Sequence, residues 1–260
     1  MNFSSLRDLR TSFPFYSISF LCLVLLSSCA SLYIPNVPNT PMLSAKDEVH
    51  ASGNLGLKGN FSFNTAYAFS DHWGVLLNAS LTNQQGSKKE FKQDLLESGM
   101  GYFTKFGAEQ NRILEIYAGI GMGSSDRTFL SNAGTEPRID EKQEIRFSKK
   151  FVQVNYSTKK KNTLNLFGKK FPLNYGTALR ISHIQSNKFL INGSEQSTQD
   201  NIFFEPIFFT RMALNKNMQL QYSSGSNFGL KNRRFISAGT AVMSIGLVFN
   251  LGGDNPEKLD

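Results

Sequence analysis

Cysteine is nearly absent from this chain: two in 260 residues, with three histidines and one tryptophan. Two cysteines cannot build a disulfide scaffold, and no spacing of His and Cys matches a zinc site. Charge is sparse at 18%, against the ~25% common in soluble domains. Heptads are scarce, which excludes a coiled coil. Beyond the first thirty residues, no segment reaches the ~18 continuous apolar residues of a membrane-crossing helix. The mean hydropathy of −0.27 is likewise too low for a helical membrane protein. What is present is 23 Phe within a 12% aromatic content, 40% hydrophobic residues, 21 Gly and a net charge of +8. Such a chain can bury apolar surface, so disorder throughout is excluded. Its hydropathy also suits a protein whose apolar residues stand at every second position.

The first thirty residues read as an address. Arg7 and Arg10 form a basic start, 13–26 is apolar apart from Pro14 and a few serines, and Ser27 and Ser28 are small. Those are the three parts of a secretory signal, and the apolar part is short for a retained spanning helix. Leu26-Ser27-Ser28-Cys29 resembles the lipobox of bacterial lipoproteins, in which the leader is cut before a cysteine that carries diacylglyceryl. The resemblance implies removal of 1–28 and a lipidated Cys29. Cys22 is lost with the leader, so the mature chain has neither a free thiol nor an internal disulfide. Residues 29–46 are expected to form an extended tether, because Pro35, Pro38 and Pro41, with Asn36 and Asn39 between them, cannot continue a helix. No acidic cluster follows Cys29, which makes inner-leaflet anchoring the expectation.

From Asp47 onward, period-2 segments alternate with polar breaks. Ten are legible: 48–58, 61–70, 73–83, 96–107, 112–123, 145–157, 173–186, 201–214, 218–225 and 240–251. Each is about the ~9–11 residues that a tilted strand needs to cross a bilayer, a few being longer. Val75, Leu77, Ala79 and Leu81 share one face, opposite Asn78, Ser80 and Thr82. Leu114, Ile116, Ala118, Ile120 and Met122 oppose Glu115, Tyr117, Gly119 and Gly121. The breaks after even-numbered segments are mostly short (71–72, 108–111, 215–217). Those after odd-numbered segments from the third onward are mostly longer (84–95, 124–144, 187–200, 226–239). Short periplasmic turns and long external loops alternate in this way in outer-membrane barrels. Two features fit badly. Pro206 requires a bulge or bend within a strand, and 158–172 is long for a periplasmic turn. With these unresolved, eight strands stand as the alternative count.

The post-cysteine stretch Tyr33-Ile34-Pro35-Asn36 with Asn39-Thr40-Pro41-Met42-Leu43, then Lys46-Asp47-Glu48, Ser52-Gly53 and Ala66-Tyr67-Ala68-Phe69-Ser70-Asp71-His72-Trp73-Gly74-Val75, resembles the outer-membrane β-barrel lipoproteins common in the Bacteroidota. The likeness covers the first third of the chain closely and the remainder by strand pattern only. It implies an outer-membrane address and a small barrel, and it carries over no catalytic residue.

The residues that could carry chemistry are few. His72, beside Trp73, reads as part of an interfacial belt, and His50 as a lumen residue. His183 lies near Ser182 and Ser186, so an acyl hydrolase at the external rim is an alternative that would need an orienting carboxylate. Gly119, Gly121 and Gly123 lie within a strand, where they relieve curvature and make room for large neighbours such as Tyr117 rather than cradle phosphate. Glu97, Glu115, Arg180, Glu205 and Arg211 fall on inward faces. They form either a lumen charge cluster that must pair or, functionally, a selective pore or proton relay. Lys88, Lys89 and Lys92, together with Lys231, Arg233 and Arg234, fall in expected external loops and are candidates to contact lipopolysaccharide phosphates. Lys149 and Lys150, and Lys159–Lys161 with Lys169 and Lys170, are also placed in connections.

The resulting expectation is an all-β, antiparallel transmembrane barrel with a removed leader (1–28), a tether (29–46), a barrel (47–252) and a periplasmic tail (253–260). Both termini are expected on the periplasmic side. A structural or surface-binding role without catalysis follows, with no cofactor or metal. The expected partners are outer-membrane lipid, lipopolysaccharide and proteins of an envelope assembly, not nucleic acid. A rim enzyme acting on lipid or peptide, and a soluble β-barrel lipoprotein binding a small apolar ligand, are the competing classes. The soluble class requires Leu77, Ile116, Ile181 and Leu247 to pack together at the centre.

Overall fold

The computed structural model describes residues 31–131, 138–166, 168–237 and 240–252. The leader, Cys29 and the tail at 253–260 lie outside the described residues. Strands alternate with turns along the whole barrel: β1 (Val49–Gly56), β2 (Asn60–Ala68), β3 (Trp73–Gln84), β4 (Lys89–Phe106), β5 (Arg112–Ser131), β6 (Arg138–Leu166), β7 (Lys169–Ile191), the two-residue β8 (Ser194–Glu195), β9 (Asp200–Ala213), β10 (Met218–Gly229) and β11 (Thr240–Leu251). Every neighbouring pair is antiparallel. β6 pairs with β7, β7 with β9, and β11 returns to β1, which closes a ring of ten long strands. β8 only extends the upper end of β7. The ten-strand count therefore holds, and eight is excluded.

The barrel is apolar outside and polar within. Leu77, Ile116, Ile181 and Leu247 are 53%, 44%, 55% and 42% exposed, while Asn78, Glu115, Arg180 and Ser182 on the opposite faces are buried. A soluble lipocalin-type barrel needs the reverse, so the requirement of that class is not met. The outward face carries aromatic residues towards the short-turn end: Tyr67, Trp73, Tyr102 and Tyr156. Trp73 meets Tyr102 edge-on at 5.9 Å between ring centres, and His72 stacks on Tyr102 at 5.3 Å. This is the amphipathic belt expected where hydrocarbon gives way to headgroups.

Strands run further at the loop end than the hydropathy pattern indicates. Residues 89–95 belong to β4, 124–131 to β5 and 187–191 to β7, so these connections shrink from the long loops expected. Beyond the hydrocarbon band the outward face turns polar, as at Lys92 and Asp94, while the inward face stays buried with Phe91 and Leu95, so pairing persists without the apolar-outward alternation. At the other end the 158–172 stretch is a hairpin made by the ends of β6 and β7. A register shift between Lys159 and Thr163 takes up its irregularity.

Pro206 sits in β9 without a bulge. Its pairing with Leu179 of β7 is in register, whereas the β10 side of the ladder lapses between Gly225 and Phe228. The Pro206 carbonyl faces β10, and a Cβ on Gly225 would come within 2.1 Å of it. The amide hydrogen that proline lacks is thus missing from the side where the ladder is already open. Glycine elsewhere makes room for rings. A Cβ on Gly119 would meet the Phe151 ring at 2.4 Å, and one on Gly101 the Tyr117 ring at 2.5 Å. The large neighbours of the Gly119-x-Gly121-x-Gly123 run are therefore Phe151 and Phe147, and Tyr117 packs over Gly101 instead.

An arginine at Leu77, in the middle of the outward face of β3, is expected to lower unfolding free energy by about 2–4 kcal/mol, against about 0–1 kcal/mol for Asn83→Arg higher on the same face. Urea unfolding from lipid vesicles measures both, and equal costs would contradict a lipid-facing exterior.

Candidate functional site

The described part of the stretch expected to form an extended tether, from residue 31 onward, lies inside the barrel. Leu32, Tyr33, Asn36, Val37, Asn39, Thr40, Met42 and Leu43 are all at most 4% exposed. The segment enters beside the start of β1, where the Asp47 amide donates to the Ala68 carbonyl. It ends among the long connections, where the Leu32 amide donates to the Phe235 carbonyl at 2.7 Å. Residues 31–46 therefore run the length of the lumen, from the loop end down to the turn end. Leu251 ends β11 at the turn end and Ser31 lies at the loop end; the expected periplasmic ends themselves, at Cys29 and 253–260, lie outside the described residues.

An extended chain running through a barrel cannot join the strand ladders, so its backbone groups need side-chain partners. Proline at 35, 38 and 41 removes three donors outright. Side chains of the wall serve many of the other groups. Gln93 brackets Ile34, accepting from its amide at 2.8 Å and donating to its carbonyl at 2.6 Å. Arg180 donates to the Asn36 carbonyl at 2.5 Å. Gln153 and Asn155 donate to the Asn39 carbonyl at 2.6 and 3.2 Å. Arg211 donates to the Thr40 carbonyl. The Met42 and Leu43 amides donate to the Glu115 carboxylate at 3.3 and 3.0 Å, and the Ser44 amide donates to Glu48 at 2.7 Å. The segment's own asparagines add cross-links: Asn39 donates to Asn78 Oδ1 and to the Thr65 carbonyl, both at 2.9 Å.

The five inward charges read from the sequence divide into two groups. Glu97, Arg180 and Glu205 come together with a fourth residue, Lys149, which stands on β6 rather than in a connection. Lys149 Nζ lies 2.6 Å from Glu97 and 3.9 Å from Glu205. Arg180 lies 2.5 Å from Glu205 and 3.4 Å from Glu97. Two carboxylates thus alternate with two cations, all four at most 2% exposed, and the formal charges cancel. Cancellation is what makes so deep a placement tolerable, because an unpaired buried ion is costly. Lys149 also donates to the Tyr33 hydroxyl at 2.9 Å, so the square grips the threaded segment as well as the wall.

Glu115 and Arg211 belong to a second, lower group. Tyr117 Oη and Asn155 Nδ2 donate to Glu115 at 3.0 and 3.1 Å. Arg211 binds Gln221 at 2.6 Å and stands over the Phe209 ring. Both ions are engaged chiefly with the lumen segment rather than with each other. His50 lies in the lumen as expected, its Nδ1 2.9 Å from Asn250 Oδ1.

The loop end is closed by apolar packing. Leu32 and Tyr33 join Phe91, Leu95, Ile145, Phe147, Ile184, Phe189, Phe203 and Ile236 in one buried cluster. Ile236 comes from the connection between β10 and β11, which folds inward so that Phe235 meets Phe189 at 4.7 Å. Asn201 holds this lid by donating to the Ile236 carbonyl at 2.6 Å. Ser125 and Arg127 of β5 donate to the Leu32 and Ser31 carbonyls.

The surface cations are not equivalent. Lys231 and Arg233 both bind Asp200, which also lies 3.2 Å from His183 Nε2. Above the apolar band, these hydrogen bonds, Lys231's first, hold the Asp200 carboxyl well below the usual carboxylate range. Lys88 occupies the exposed turn between β3 and β4, while Lys89 and Lys92 stand on β4 rather than in a loop. Arg234 is exposed above the Phe235 ring. The Ser–His grouping at the rim does not assemble: Ser182 and Ser186 are buried on the inward face and His183 points outward. Ser186 Oγ is occupied by Gln199, donating to its carbonyl at 2.9 Å and accepting from its amide at 2.6 Å.

No protein-family model matches the chain, and no curated protein matches it. Solved structures give distant likenesses. The translocator domain of the autotransporter NalP from Neisseria meningitidis aligns with 78% of this chain and 86% of its own, at 11% identity and a TM-score of 0.43. The KdgM porin aligns with 78% and 98%, at 9% identity and 0.33. The N-terminal β-barrel domain of OprF from Pseudomonas aeruginosa aligns with 80% and 100%, at 9% identity and 0.30. The strand ladder itself, rather than these scores, defines the architecture.

Glu97→Gln leaves Lys149 and Arg180 with one carboxylate between them, and is expected to cost about 3–5 kcal/mol of stability. The double variant Glu97→Gln/Lys149→Gln restores charge balance and is expected to cost less than the sum of the two single variants. Unfolding in lipid vesicles around this double-mutant cycle measures the coupling; strict additivity would mean that the square is not an interacting unit.

Proposed function

We propose that the chain is an outer-membrane barrel lipoprotein, anchored through a diacylglyceryl group on Cys29, whose role is structural or surface-binding rather than transport. The observation that carries this reading is the occupied lumen. A barrel of about eight strands is just filled by its own side chains and open channels need about sixteen. Here ten strands also enclose residues 31–44, bonded along their length to the wall. The inward charges then act as the clasp of a plug, and the pore and proton-relay readings lose the continuous water path they require.

The parts left to meet other molecules are the apolar band and the loop end. Lys88, Lys92 and Arg234, exposed at or near the loop end, are the side chains best placed to meet lipopolysaccharide phosphates. Lys231 and Arg233 are already engaged by Asp200. Such contacts would tie the barrel to the outer leaflet and form the base on which an envelope protein could dock. A periplasm-facing hairpin made by the ends of β6 and β7 offers a second site for an assembly partner.

The purified chain is expected to migrate faster in detergent gels before heating than after it, and to give no resolved current steps in planar bilayers. Deleting residues 31–44 while retaining Cys29 is expected to introduce steps in any preparation that keeps the heat-modifiable band. Steady conductance by the unaltered chain would overturn the plugged reading, whatever the deletion does.

A further inference from the structure

The charges deep in the barrel are matched: Lys149 and Arg180 alternate with Glu97 and Glu205. Lys58 and Lys89, at the mouth of the loop end, are not. Gln84 of β3 pairs with Phe91 of β4, and Phe91 with Arg127 of β5. Lys58 continues the same level. The register that sets Asn60 opposite Thr82 carries Lys58 to Gln84, whose Nε2 donates to the Lys58 carbonyl at 2.5 Å. Lys89 stands one inward position above Phe91 and opposite Phe129. It is therefore a diagonal neighbour of Arg127, at about 7–8 Å between backbones. Arg127 donates to the Ser31 carbonyl and to Gln143 Oε1, and its guanidinium stands 5.4 Å over the Phe91 ring. Both lysines are half-buried, and among the described residues neither meets a carboxylate. Glu141, on the neighbouring β6, is held by Gln143 instead. Burial first, then the charges of Arg127 and Lys58, push the Lys89 ammonium below its ordinary value. Like charges gathered and partly desolvated without a counter-ion are costly, and a bound anion removes that cost.

The place is open on one side. The β1–β2 turn spans only residues 57–59, so the wall there stops at the level of Lys58, whereas β5 runs on past Arg127 to Ser131. Behind this low rim, Lys58 and Asn60 face Ile34 and Pro35 of the lumen segment across a cavity of about 150 Å³. One inward position below Gln84, the Thr82 hydroxyl is buried and has no partner among the described residues. We infer that Lys58, Lys89 and Arg127 form a binding site for a phosphate group, entered over the low rim at the β1–β2 turn. Two ammonium groups and a guanidinium supply charge-assisted donors to its oxygens, and the cavity beside Lys58 gives room to the molecule that carries it. The inference rests on the outer-membrane reading above, under which lipopolysaccharide is the molecule that brings phosphate to this face; the free ion presents the same chemistry. Lys88, Lys92 and Arg234 meet the headgroups from outside, whereas Lys58 and Lys89 draw one phosphate into the mouth.

The test uses the full purified chain in detergent, its fold checked by the heat-modifiable band. The double variant Lys58→Gln/Lys89→Gln is compared with Lys188→Gln, which removes an exposed lysine of β7 at the same end. Lipopolysaccharide and inorganic phosphate are titrated separately by calorimetry. The unaltered chain is expected to bind lipopolysaccharide, the double variant to bind it about tenfold or more weakly, and Lys188→Gln to stay within about twofold. Saturable binding of inorganic phosphate with the same loss supports the site and extends it to the free ion. The same loss for lipopolysaccharide alone supports the site and ties it to the lipid's phosphates. Binding of lipopolysaccharide that survives in the double variant and falls instead in Lys88→Gln/Arg234→Gln overturns the inward site and leaves the outer-membrane reading standing. Binding of neither ligand by a chain that shows the heat-modifiable band overturns the site as well. Absence of that band from the unaltered chain overturns the reading on which the site rests. Should the double variant alone lose the band, Lys58→Gln replaces it and the same outcomes decide.

Discussion

A chain that runs along the inside of a closed barrel has no ladder to join. Every amide and carbonyl it brings must be met by a side chain reaching in from the wall, or be removed. Both solutions are used here: prolines at 35, 38 and 41 eliminate donors, and Gln93, Gln153, Asn155, Arg180, Arg211, Glu48 and Glu115 serve much of what remains. The composition of the lumen follows from this. Its wall is rich in Asn, Gln and Ser because it lines a peptide, not because it lines a water channel, and its charges are few and balanced because each is spent on a specific partner.

The same constraint links the interior to the outer surface. Ten strands enclose too little space for a chain and a channel together, so the plug sets the barrel's size as much as the strands do. Glycine at 101 and 119 lets Tyr117 and Phe151 lie flat against the wall, which keeps room for the segment. On the outside no such demand exists, and the face repeats Leu, Ile, Val and Phe with an aromatic border.

Much of the barrel was legible in the sequence, because lipid on one side and a polar lumen on the other impose a strict period of two. The strands, their parity and the outward positions of Leu77, Ile116, Ile181 and Leu247 follow from that. The pattern fails where lipid ends: Lys89, Lys92 and 124–131 belong to strand ends whose outward face is polar while the inward face stays buried, as at Phe91, Leu95, Ser125 and Arg127. Lys149 was hidden for a related reason. With Lys150 beside it, the pair has no alternation to read, and only the parity of Phe147, Phe151 and Gln153 marks Lys149 as the inward one. Residues 31–45 are extended, as the sequence predicts, but their place in the lumen is not legible there, since an extended Pro/Asn segment looks the same in solvent and in a polar lumen. What distinguishes the two is the excess of amide and charged side chains on strands far away in the chain, a signal spread over Gln93, Gln153, Asn155, Arg180 and Arg211.

The threaded segment also constrains the order in which this molecule can be made. Pairing of β1 with β11 completes a hoop around residues that precede β1 in the chain. A lumen so tightly filled leaves no room to draw this segment in after the hoop has shut. The leading end must therefore be laid along the nascent sheet first, and the last seam zipped around it, so that the plug serves as the mandrel on which the cylinder is rolled.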